Sequence, residues 1–372
     1  MATPSPIETK PLSRLSAVTA EEAKTTRRFQ PKINHTPPLP AVNWAAVGQQ
    51  APQPLDAAPN RLPAAEVVVI AWTDAEWAAL NHVFCSAGGT MTYASRTRGS
   101  WDGWQKFDKD APSVGDWTFW GEYRLVQLGR TKALLFKSNT HLDYPGPQYL
   151  EKLILRLVSD VKPKLILSTG TAGGARLSDH IGTVNVVHSG ALYQSKQPQS
   201  TWPVYKSAWR ADWTLVANSG FRHLLFPVPT TESDLKAIGK EFNAFYKTDY
   251  PLATLNVDSL NMADPMPGIN NLTATQTALL TTDSFVVGTS SGNLSNFACV
   301  EMDDAVIDKV CAAHKIEFGS VRNISDPAQN AVLPPAVQGH WGQAIYDCYG
   351  FYTSYNGAIT AWAILSAQFK SK

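Results

Sequence analysis

Short apolar runs alternate with amphipathic segments along most of this chain. Residues 67–72 are continuously apolar, as expected of a strand buried on both faces of a sheet. Apolar side chains recur at helical spacing after Asp74 and over residues 147–161, which predicts two amphipathic helices. The remaining pattern predicts strands at residues 118–128, 132–138, 165–169, 183–189, 285–288 and 319–324, and helices at 233–245, from about 302, and at 341–369 with an interruption near 349–356. Strands alternating with helices predict an α/β fold with a largely parallel or mixed sheet covered on both faces.

The amino-acid composition excludes some classes of protein but adds little about the fold. The chain has 372 residues, of which 44% are hydrophobic, enough for a sizeable core. Its net charge of +1 leaves no electrostatic footprint for nucleic acid or an anionic membrane. There is no apolar run of about 18 residues to span a membrane, and no apolar stretch of a secretory signal. We therefore expect a cytoplasmic protein that binds neither nucleic acid nor a membrane.

Two aspartates lie at the ends of predicted elements. Asp303 falls in the first turn of an apolar-periodic helix, and Asp326 lies just past the strand predicted at residues 319–324. In an open α/β sheet, ligands bind in the crevice outside the carboxyl ends of the strands, where a carboxylate is well placed for acid–base chemistry. Each residue also has an ordinary alternative role. Asp303 would favour a helix N-terminus electrostatically, and Asp326 would cap or turn the chain.

The glycine-rich segment GTAGG at residues 170–174 follows another predicted strand. Glycines permit a tight turn with exposed backbone N–H groups, which can hold an anion or a polar ligand. No Lys-Ser/Thr pair follows, so the segment is not a Walker loop, and its spacing is not the full dinucleotide-binding fingerprint. The alternative is an ordinary turn between a strand and a loop.

Three blocks in order resemble the nucleoside phosphorylase and nucleosidase superfamily, which includes purine nucleoside phosphorylases, uridine phosphorylases and methylthioadenosine/S-adenosylhomocysteine nucleosidases. The blocks are EVVVIAWTDAEWAALNHVF at residues 66–84, LILSTGTAGGARLSDHIGTVNVVHSGALY at 165–193, and VEMDDAV followed by VRNISD within 300–326. The resemblance implies an α/β fold with a mixed central sheet flanked by helices.

The domain prediction combines this resemblance with the proline pattern. Residues 1–60 hold 10 of the 25 prolines and are expected to form an arm that is extended, partly disordered, or wrapped over a neighbouring surface. Residues 61–372 would form the catalytic domain. An insertion at about 194–282, rich in aromatic residues, departs from the small members of the family and would serve as a specificity lid or an interface.

The resemblance implies cleavage of the N-glycosidic bond of a purine nucleoside. Asp326 would be the general acid at the purine N7, with Ser325 orienting its carboxyl group. Such an acid is needed because the base leaves poorly unless its negative charge is neutralised, and burial could raise the pKa of Asp326 accordingly. Asp303 matches a sugar-binding position that is normally Glu, Met302 would pack on the sugar, and Glu301 is matched without an assigned role.

The resemblance also implies where the nucleophile lies. Gly170, Thr171 and Ala172 would lie beside the anomeric carbon, with Thr171 contacting the attacking water or phosphate. With a one-residue shift, Glu76 matches a Glu that nucleosidases use to activate water. Its alternative role is that of a solvated residue in the first turn of a helix, where negative charge is favoured. A base and an acid on opposite sides of the bond would fit an inverting hydrolysis.

Phosphate binding is where the chain departs from phosphorylases of the hexameric type. The Arg that precedes their glycine segment is replaced by Ser168, and their early glycine-plus-arginine phosphate loop is absent from residues 71–77. A buried phosphate needs charge-assisted donors, for which Arg130, Arg176 and Arg322 are the nearest in sequence. Arg322 precedes a strand end and is given a structural role. The comparison favours water as the nucleophile, with phosphate a co-substrate if the chain is a phosphorylase.

Other classes of protein remain open at this point. A non-catalytic ligand-binding or assembly protein could use the same fold, since fold does not fix function. An enzyme with a nucleotide cofactor could use the GTAGG segment, although the incomplete fingerprint counts against it. The spacing of the histidines predicts no metal site. We expect a small-molecule nucleoside as the ligand, no cofactor, and a homo-oligomer.

Overall fold

The architecture is known from a computed structural model of the chain. It describes residues 29, 31–86, 88–95, 103–114, 117–142, 146–176, 180–194, 197–251, 255, 266–273, 278–282, 296–328 and 335–369. The strand predicted at residues 285–288 lies outside the described residues.

Helices and strands alternate as the apolar pattern predicts. The helices are α1 (Asp74–Cys85), α2 (Pro147–Val161), α3 (Glu232–Tyr246), α4 (Asp304–Ala313) and α5 (Pro335–Gln368). The strands are β1 (Gln53–Leu55), β2 (Val67–Ala71), β3 (Gln105–Phe107), β4 (Ser113–Val114), β5 (Trp117–Thr118), β6 (Gly121–Leu128), β7 (Thr131–Ser138), β8 (Leu165–Gly174), β9 (Val184–Val187), β10 (Ser189–Leu192), β11 (Val204–Lys206), β12 (Ile269–Asn271), β13 (Leu279–Thr281), β14 (Cys299–Glu301) and β15 (Glu317–Pro327).

Thirteen of the described strands form one mixed sheet, and β4 and β5 form a separate hairpin. β2, β7, β8 and β15 run parallel at its centre, whereas β6, β14 and β9 are antiparallel to the strands they pair with there. Side chains alternate between its two faces. Val67 and Leu167 pack with α1 and α5, and Val68 and Ile166 pack with α2 and α4. The predicted fold class, a mixed central sheet flanked by helices, is therefore confirmed.

Along one edge, β8 is paired with neighbouring strands over only part of its length. Its first half pairs with β2 as far as Ser168, and its last residues, Gly173 and Gly174, pair with β14. β15 covers the other edge along the whole length of β8. Between Ser168 and Gly173, the first edge therefore faces a gap where β2 has ended and β14 has not begun.

The GTAGG segment is not the turn that its glycines predict. Residues 170–174 continue β8, because β15 supplies hydrogen-bond partners as far as Gly174. Asp326 likewise lies within β15, opposite Gly173 and just after a bulge, instead of following the strand. The glycines allow close approach of neighbouring groups here, since β15 pairs with this whole segment and keeps it extended.

The interruption predicted near residues 349–356 is also wrong, because α5 is continuous from Pro335 to Gln368. Polar residues in this stretch suggested a break, but their side chains form hydrogen bonds within the buried helix. Thr353 Oγ1 donates to the carbonyl of Gly350, and Asn356 binds the backbone of Phe226 on both sides. Burial on nearly all faces, with these polar side chains hydrogen-bonded, thus replaces the usual polar side of a helix.

The second half of the proline-rich segment packs on α1 and α5. His82 Nε2 lies 2.9 Å from the Pro40 carbonyl, and the Tyr352 hydroxyl donates to the Pro37 carbonyl at 2.9 Å. Leu39 is fully buried and pairs with Met91 through a backbone bridge. Residues 1–28 lie outside the described residues, so the proposed division at residue 60 stays a prediction. None of the helices that the structure describes is both long and apolar enough to cross a membrane.

Close packing against the centre of the sheet gives a test of this fold. A Cβ on Gly319 of β15 would lie 2.0 Å from Cε3 of Trp209, which is itself fully buried. We expect Gly319→Ala to lower the free energy of unfolding by about 1–3 kcal/mol through overpacking. The matched control is Gly268→Ala, because nothing lies within 4 Å of its added Cβ. Urea denaturation of both variants measures the difference, and equal stability would contradict the packing of Trp209 on β15.

Candidate functional site

Glu76 lies at the start of α1, where the chain leaves β2. Thr73 is the N-cap, and its side chain accepts a hydrogen bond from the Glu76 N–H at 3.3 Å. Glu76 Oε2 in turn accepts from the backbone N–H of Thr73 at 2.9 Å and of Trp72 at 2.8 Å. This reciprocal capping box holds the carboxylate over the end of β2 and not out in solvent. Glu76 is only 4% exposed.

The other carboxylate oxygen fills the gap along β8. Glu76 Oε1 accepts hydrogen bonds from both the backbone N–H and the hydroxyl of Thr171, each at 2.7 Å. A Cβ on Gly170 would lie 2.7 Å from this oxygen, so only glycine allows the approach. The N–H group that β2 and β14 leave unpaired is therefore satisfied by a side chain.

Arg322 of β15 approaches the same point. A Cβ on Gly170 would lie 3.0 Å from Arg322 Nη1. The guanidinium is buried, and its other nitrogens are bound to oxygen atoms. Nε donates to Asp304 Oδ2 at 3.1 Å and Nη2 donates to Asp304 Oδ1, which makes a bidentate pair. Nη2 also donates to Ser168 Oγ at 2.6 Å and to Glu301 Oε2 at 3.0 Å. Within the described part of the chain, Nη1 has no hydrogen-bond partner.

Electrostatics keep the positive charge on Arg322 in this buried network. Burial alone would lower the pKa of Arg322, but the charges of Asp304 and Glu301 raise it well above its usual value. Burial, followed by the neighbouring Asp304 charge, raises the pKa of Glu301. Trp72 completes the enclosure, with its ring centroid 5.3 Å from the guanidinium carbon. A buried arginine without such partners would be strongly destabilising.

Glu301 also builds the turn that carries Asp303. Its Oε2 accepts from the backbone N–H of Asp303 at 2.6 Å and of Asp304 at 3.0 Å. Asp303 is the N-cap of α4. The sequence predicted instead that it would lie in the first turn of the helix. Its side chain points away from the helix. Oδ1 accepts from the Leu142 N–H at 2.9 Å, and Oδ2 lies 3.3 Å from His141 Nδ1. Glu301, and not Asp303, therefore accepts the hydrogen bonds from the N–H groups at the start of α4.

Asp326 lies on the far side of the glycine segment. Its Oδ1 accepts a hydrogen bond from the Ser325 hydroxyl at 2.6 Å. Its Oδ2 would lie 3.6 Å from a Cβ on Gly173 and 3.1 Å from one on Gly342 of α5. Burial raises the pKa of Asp326 to about 6, against a smaller lowering by Ser325. This carboxyl group can therefore be protonated close to neutral pH.

These contacts connect most of the residues singled out in the sequence. Glu76, Gly170 and Thr171 meet directly, and Glu301 and Asp303 join them through Arg322 and the α4 turn. Asp326 and Ser325 flank the same strand at Gly173. Ala172 is a buried part of β8, and Met302 is partly exposed beside Asp303. No group of three or more His, Cys, Asp or Glu side chains among the described residues is arranged to hold a metal ion.

Comparison with known proteins identifies the family. The sequence profile described as the phosphorylase superfamily matches residues 121–341, more than half of the chain. The chain belongs to the phosphorylase superfamily. Membership indicates an enzyme that cleaves the N-glycosidic bond of a nucleoside. None of the curated proteins matches the chain.

Solved structures similar to this superfamily member include two nucleosidases and a hydrolase. A 5′-methylthioadenosine/S-adenosylhomocysteine nucleosidase from Neisseria meningitidis is 13% identical with a TM-score of 0.44, covering 81% of this chain and 98% of that one. An S-adenosylhomocysteine nucleosidase from Streptococcus pyogenes is 17% identical with a TM-score of 0.44, covering 83% and 99%. Futalosine hydrolase of Helicobacter pylori is 12% identical with a TM-score of 0.43, covering 80% and 96%. None of these likenesses assigns a substrate to this chain.

Several residues of the site were not found from the sequence. Arg322 was given a structural role and His141 no functional role, yet both lie against the sugar-binding candidates. Ser168 was noted only as a difference from the phosphorylases, and Asp304 was given no role. One feature of the sequence points to Asp304 as part of the site. Asp304 falls on the apolar face of α4, and a carboxylate on such a face needs a buried cation.

The pair between Arg322 and Asp304 provides a stability test. Asp304→Asn removes the charge that holds Nε and Nη2 while keeping the side-chain shape, so we expect a loss of about 3 kcal/mol in unfolding free energy. The matched control is Asp160→Asn, which weakens an exposed pair with Arg156 and should cost under about 1 kcal/mol. Chemical denaturation separates the two. A loss for Asp304→Asn no greater than that of the control would show that Arg322 does not depend on this pair.

Proposed function

We propose that this superfamily member hydrolyses the N-glycosidic bond of a purine nucleoside, with water as the nucleophile. The observation that supports the proposal is the approach of two side chains to one point beside Gly170. Glu76 Oε1 and Arg322 Nη1 both approach it, at 2.7 Å and 3.0 Å from the position of an absent Cβ. An acceptor and a charged donor that approach the same part of β8 suit the binding of a water that is to lose a proton.

Glu76 is the proposed general base. A carboxylate only accepts hydrogen bonds, and three of the four donors that Glu76 meets are fixed backbone N–H groups. The fourth is the Thr171 hydroxyl, which can rotate because its residue is partly exposed. When that hydroxyl turns toward substrate, Oε1 is available to a water held by Arg322 Nη1. Thr171 then orients the water or the sugar.

The sugar is proposed to bind between Asp303 and Met302. Asp303 is one methylene shorter than the usual Glu, and its carboxylate is already fixed by Leu142 and His141. A sugar hydroxyl would share this carboxylate with His141. Met302, partly exposed in the same turn, would supply the apolar contact.

Asp326 is the proposed general acid for the departing base. The transition state resembles an oxocarbenium ion, and protonation of the base prevents negative charge from building on it. Burial supplies the raised pKa that this role needs, and Ser325 fixes the rotamer of the carboxyl group. An acid at this position favours a purine, whose N7 can accept the proton.

The hydrogen bonds that Arg322 already makes favour water over phosphate as the nucleophile. Phosphate is a large anion that needs several charge-assisted donors. Three of the contacts made by the guanidinium go to carboxylate oxygens and one goes to Ser168, where hexameric phosphorylases carry an Arg. Nη1 alone, with two N–H groups, offers fewer charge-assisted donors than a buried phosphate needs. Release of base should therefore not require phosphate.

A product assay tests this proposal. The chain is incubated with a panel of purine and pyrimidine nucleosides, with and without phosphate, and free base and sugar are separated by chromatography. We expect purine release with free sugar in both conditions. Glu76→Gln keeps the capping box but removes the base, and should lower kcat by about 100-fold or more. Glu151→Gln, at an exposed pair with Lys309, is the control. Sugar 1-phosphate as product would contradict hydrolysis, and ligand binding without turnover would favour the non-catalytic alternative.

The pH dependence tests the acid. Asp326 must be protonated to act, so kcat/KM should fall about tenfold per pH unit as pH rises above about 6. Asp326→Asn should abolish this limb and most of the activity. Burial also raises the pKa of Asp308 to about 6, so Asp308→Asn is the control that keeps the limb. An Asp326 variant with less than tenfold loss, about 1.4 kcal/mol, would refute the assignment.

A further inference from the structure

Two strands from the range predicted as an insertion lie in the sheet beside the turn at residues 301–305, which carries Asp303 and is called here the sugar-binding turn. β13 pairs with β14, and Thr281 at its end lies directly opposite Glu301. β10 separates β13 from β11, the last of the described strands along this edge. Side chains on these strands are therefore placed to contact the residues that precede α4.

Tyr205 of β11 reaches across β10. It pairs in register with Gly190, and a Cβ on that glycine would lie 2.6 Å from Cζ of the tyrosine. The ring therefore occupies the space where any other residue would place its side chain. Beyond β10, the Tyr205 hydroxyl lies 3.3 Å from Thr281 Oγ1 of β13, within hydrogen-bond distance. Gly190 thus permits a contact between two strands that are not neighbours.

The Thr281 hydroxyl makes all the hydrogen bonds that its chemistry allows. It donates to Glu301 Oε1 and accepts from the Ala305 N–H at 3.2 Å. A hydroxyl has one hydrogen and two lone pairs, so the remaining place is that of a second donor, the Tyr205 hydroxyl. Burial, followed by the charges of Glu301 and Asp304, raises the pKa of Tyr205 above its usual value, so the tyrosine keeps the proton that it donates.

Thr281 holds the sugar-binding turn at both ends. Its hydroxyl binds Glu301 at the start of the turn and the Ala305 N–H at its end. Between these points, Glu301 Oε2 accepts from the Asp303 N–H at 2.6 Å. Asp303, whose carboxylate is the proposed sugar contact, is therefore linked to Tyr205 by a continuous series of hydrogen bonds.

We propose that Tyr205 is a positioning residue that holds the sugar-binding turn in place through Thr281. The inference rests on the proposed contact between Asp303 and a sugar hydroxyl, and it gives the predicted insertion a part in the choice of sugar. Without the tyrosine hydroxyl, the threonine oxygen loses a buried partner, and its side chain can rotate away from the turn. A hydrogen bond needs close placement, so the loss should fall on substrates that carry the bound hydroxyl.

The test compares sugars in a Tyr205→Phe variant. The substrates are a purine ribonucleoside and its 2′-deoxy and 3′-deoxy forms, one of which lacks the hydroxyl that Asp303 binds. Wild type should prefer the ribonucleoside to that form. We expect Tyr205→Phe to lower kcat/KM about tenfold on the ribonucleoside but less than about threefold on that form. A role in stability alone would lower all three values equally.

Two further variants serve as controls. Tyr349→Phe removes a tyrosine hydroxyl that also meets a threonine, Thr230, at 2.7 Å, and neither residue is part of the proposed site. It should leave kcat/KM on every substrate within about twofold. In a Thr281→Val background, Tyr205→Phe should cause no further loss, because the two side chains act as one unit.

The outcomes separate this role from the proposed function. Unchanged kinetics in Tyr205→Phe, or an equal loss on all three substrates, would overturn the positioning role alone. Additive losses in Tyr205→Phe and Thr281→Val would show that the tyrosine does not act through Thr281. A wild-type chain that cleaves all three substrates equally would refute the sugar contact of Asp303, and this role with it. Release of no base from any compound would overturn the proposed function itself.

Discussion

A buried arginine holds the candidate site together. Arg322 stands on β15 and reaches across β8 to the turn before α4, where Asp304 binds it in bidentate fashion and Glu301 and Ser168 take the rest. Taking these charges out of water is costly, and it is tolerated because the carboxylate oxygens, Nε and Nη2 are all hydrogen-bonded. Three segments distant in sequence are therefore fixed relative to one another, and Nη1, which has no hydrogen-bond partner among the described residues, lies beside Gly170.

The second constraint is the open edge of β8. Because β2 ends before β14 begins, the N–H of Thr171 lacks a strand partner, and Glu76 supplies the acceptor. A backbone group that must be satisfied thus brings a carboxylate to the place where the arginine points. Gly170 permits both approaches, since any side chain there would collide with Glu76. Fold stability and the geometry of the site depend on the same few contacts.

Much of the fold could be predicted from the sequence because periodicity is local. The helix at residues 147–161 and the strand at 67–71 have the bounds that their apolar patterns indicate, to within a residue. The predictions that were wrong depend on contacts with residues distant in sequence. The glycines at 170–174 suggest a turn unless β15 and β14 are known to flank them, and the polar residues of α5 suggest a break unless their buried partners are known. Glu76 and Asp326 were candidates through the family resemblance. Arg322 was given only a structural role, because its partners at Ser168 and Asp304 are distant in sequence.

The central claim is a one-step attack by water from the side of Glu76 while Asp326 protonates the base. Such a displacement inverts the anomeric carbon, whereas a covalent intermediate would retain its configuration. Proton NMR of the sugar in the first moments of turnover, before the anomers equilibrate, reads this configuration directly. With a β-nucleoside as substrate, the account predicts that the α anomer of the free sugar appears first. The β anomer as the initial product, or a sugar phosphate, would contradict it.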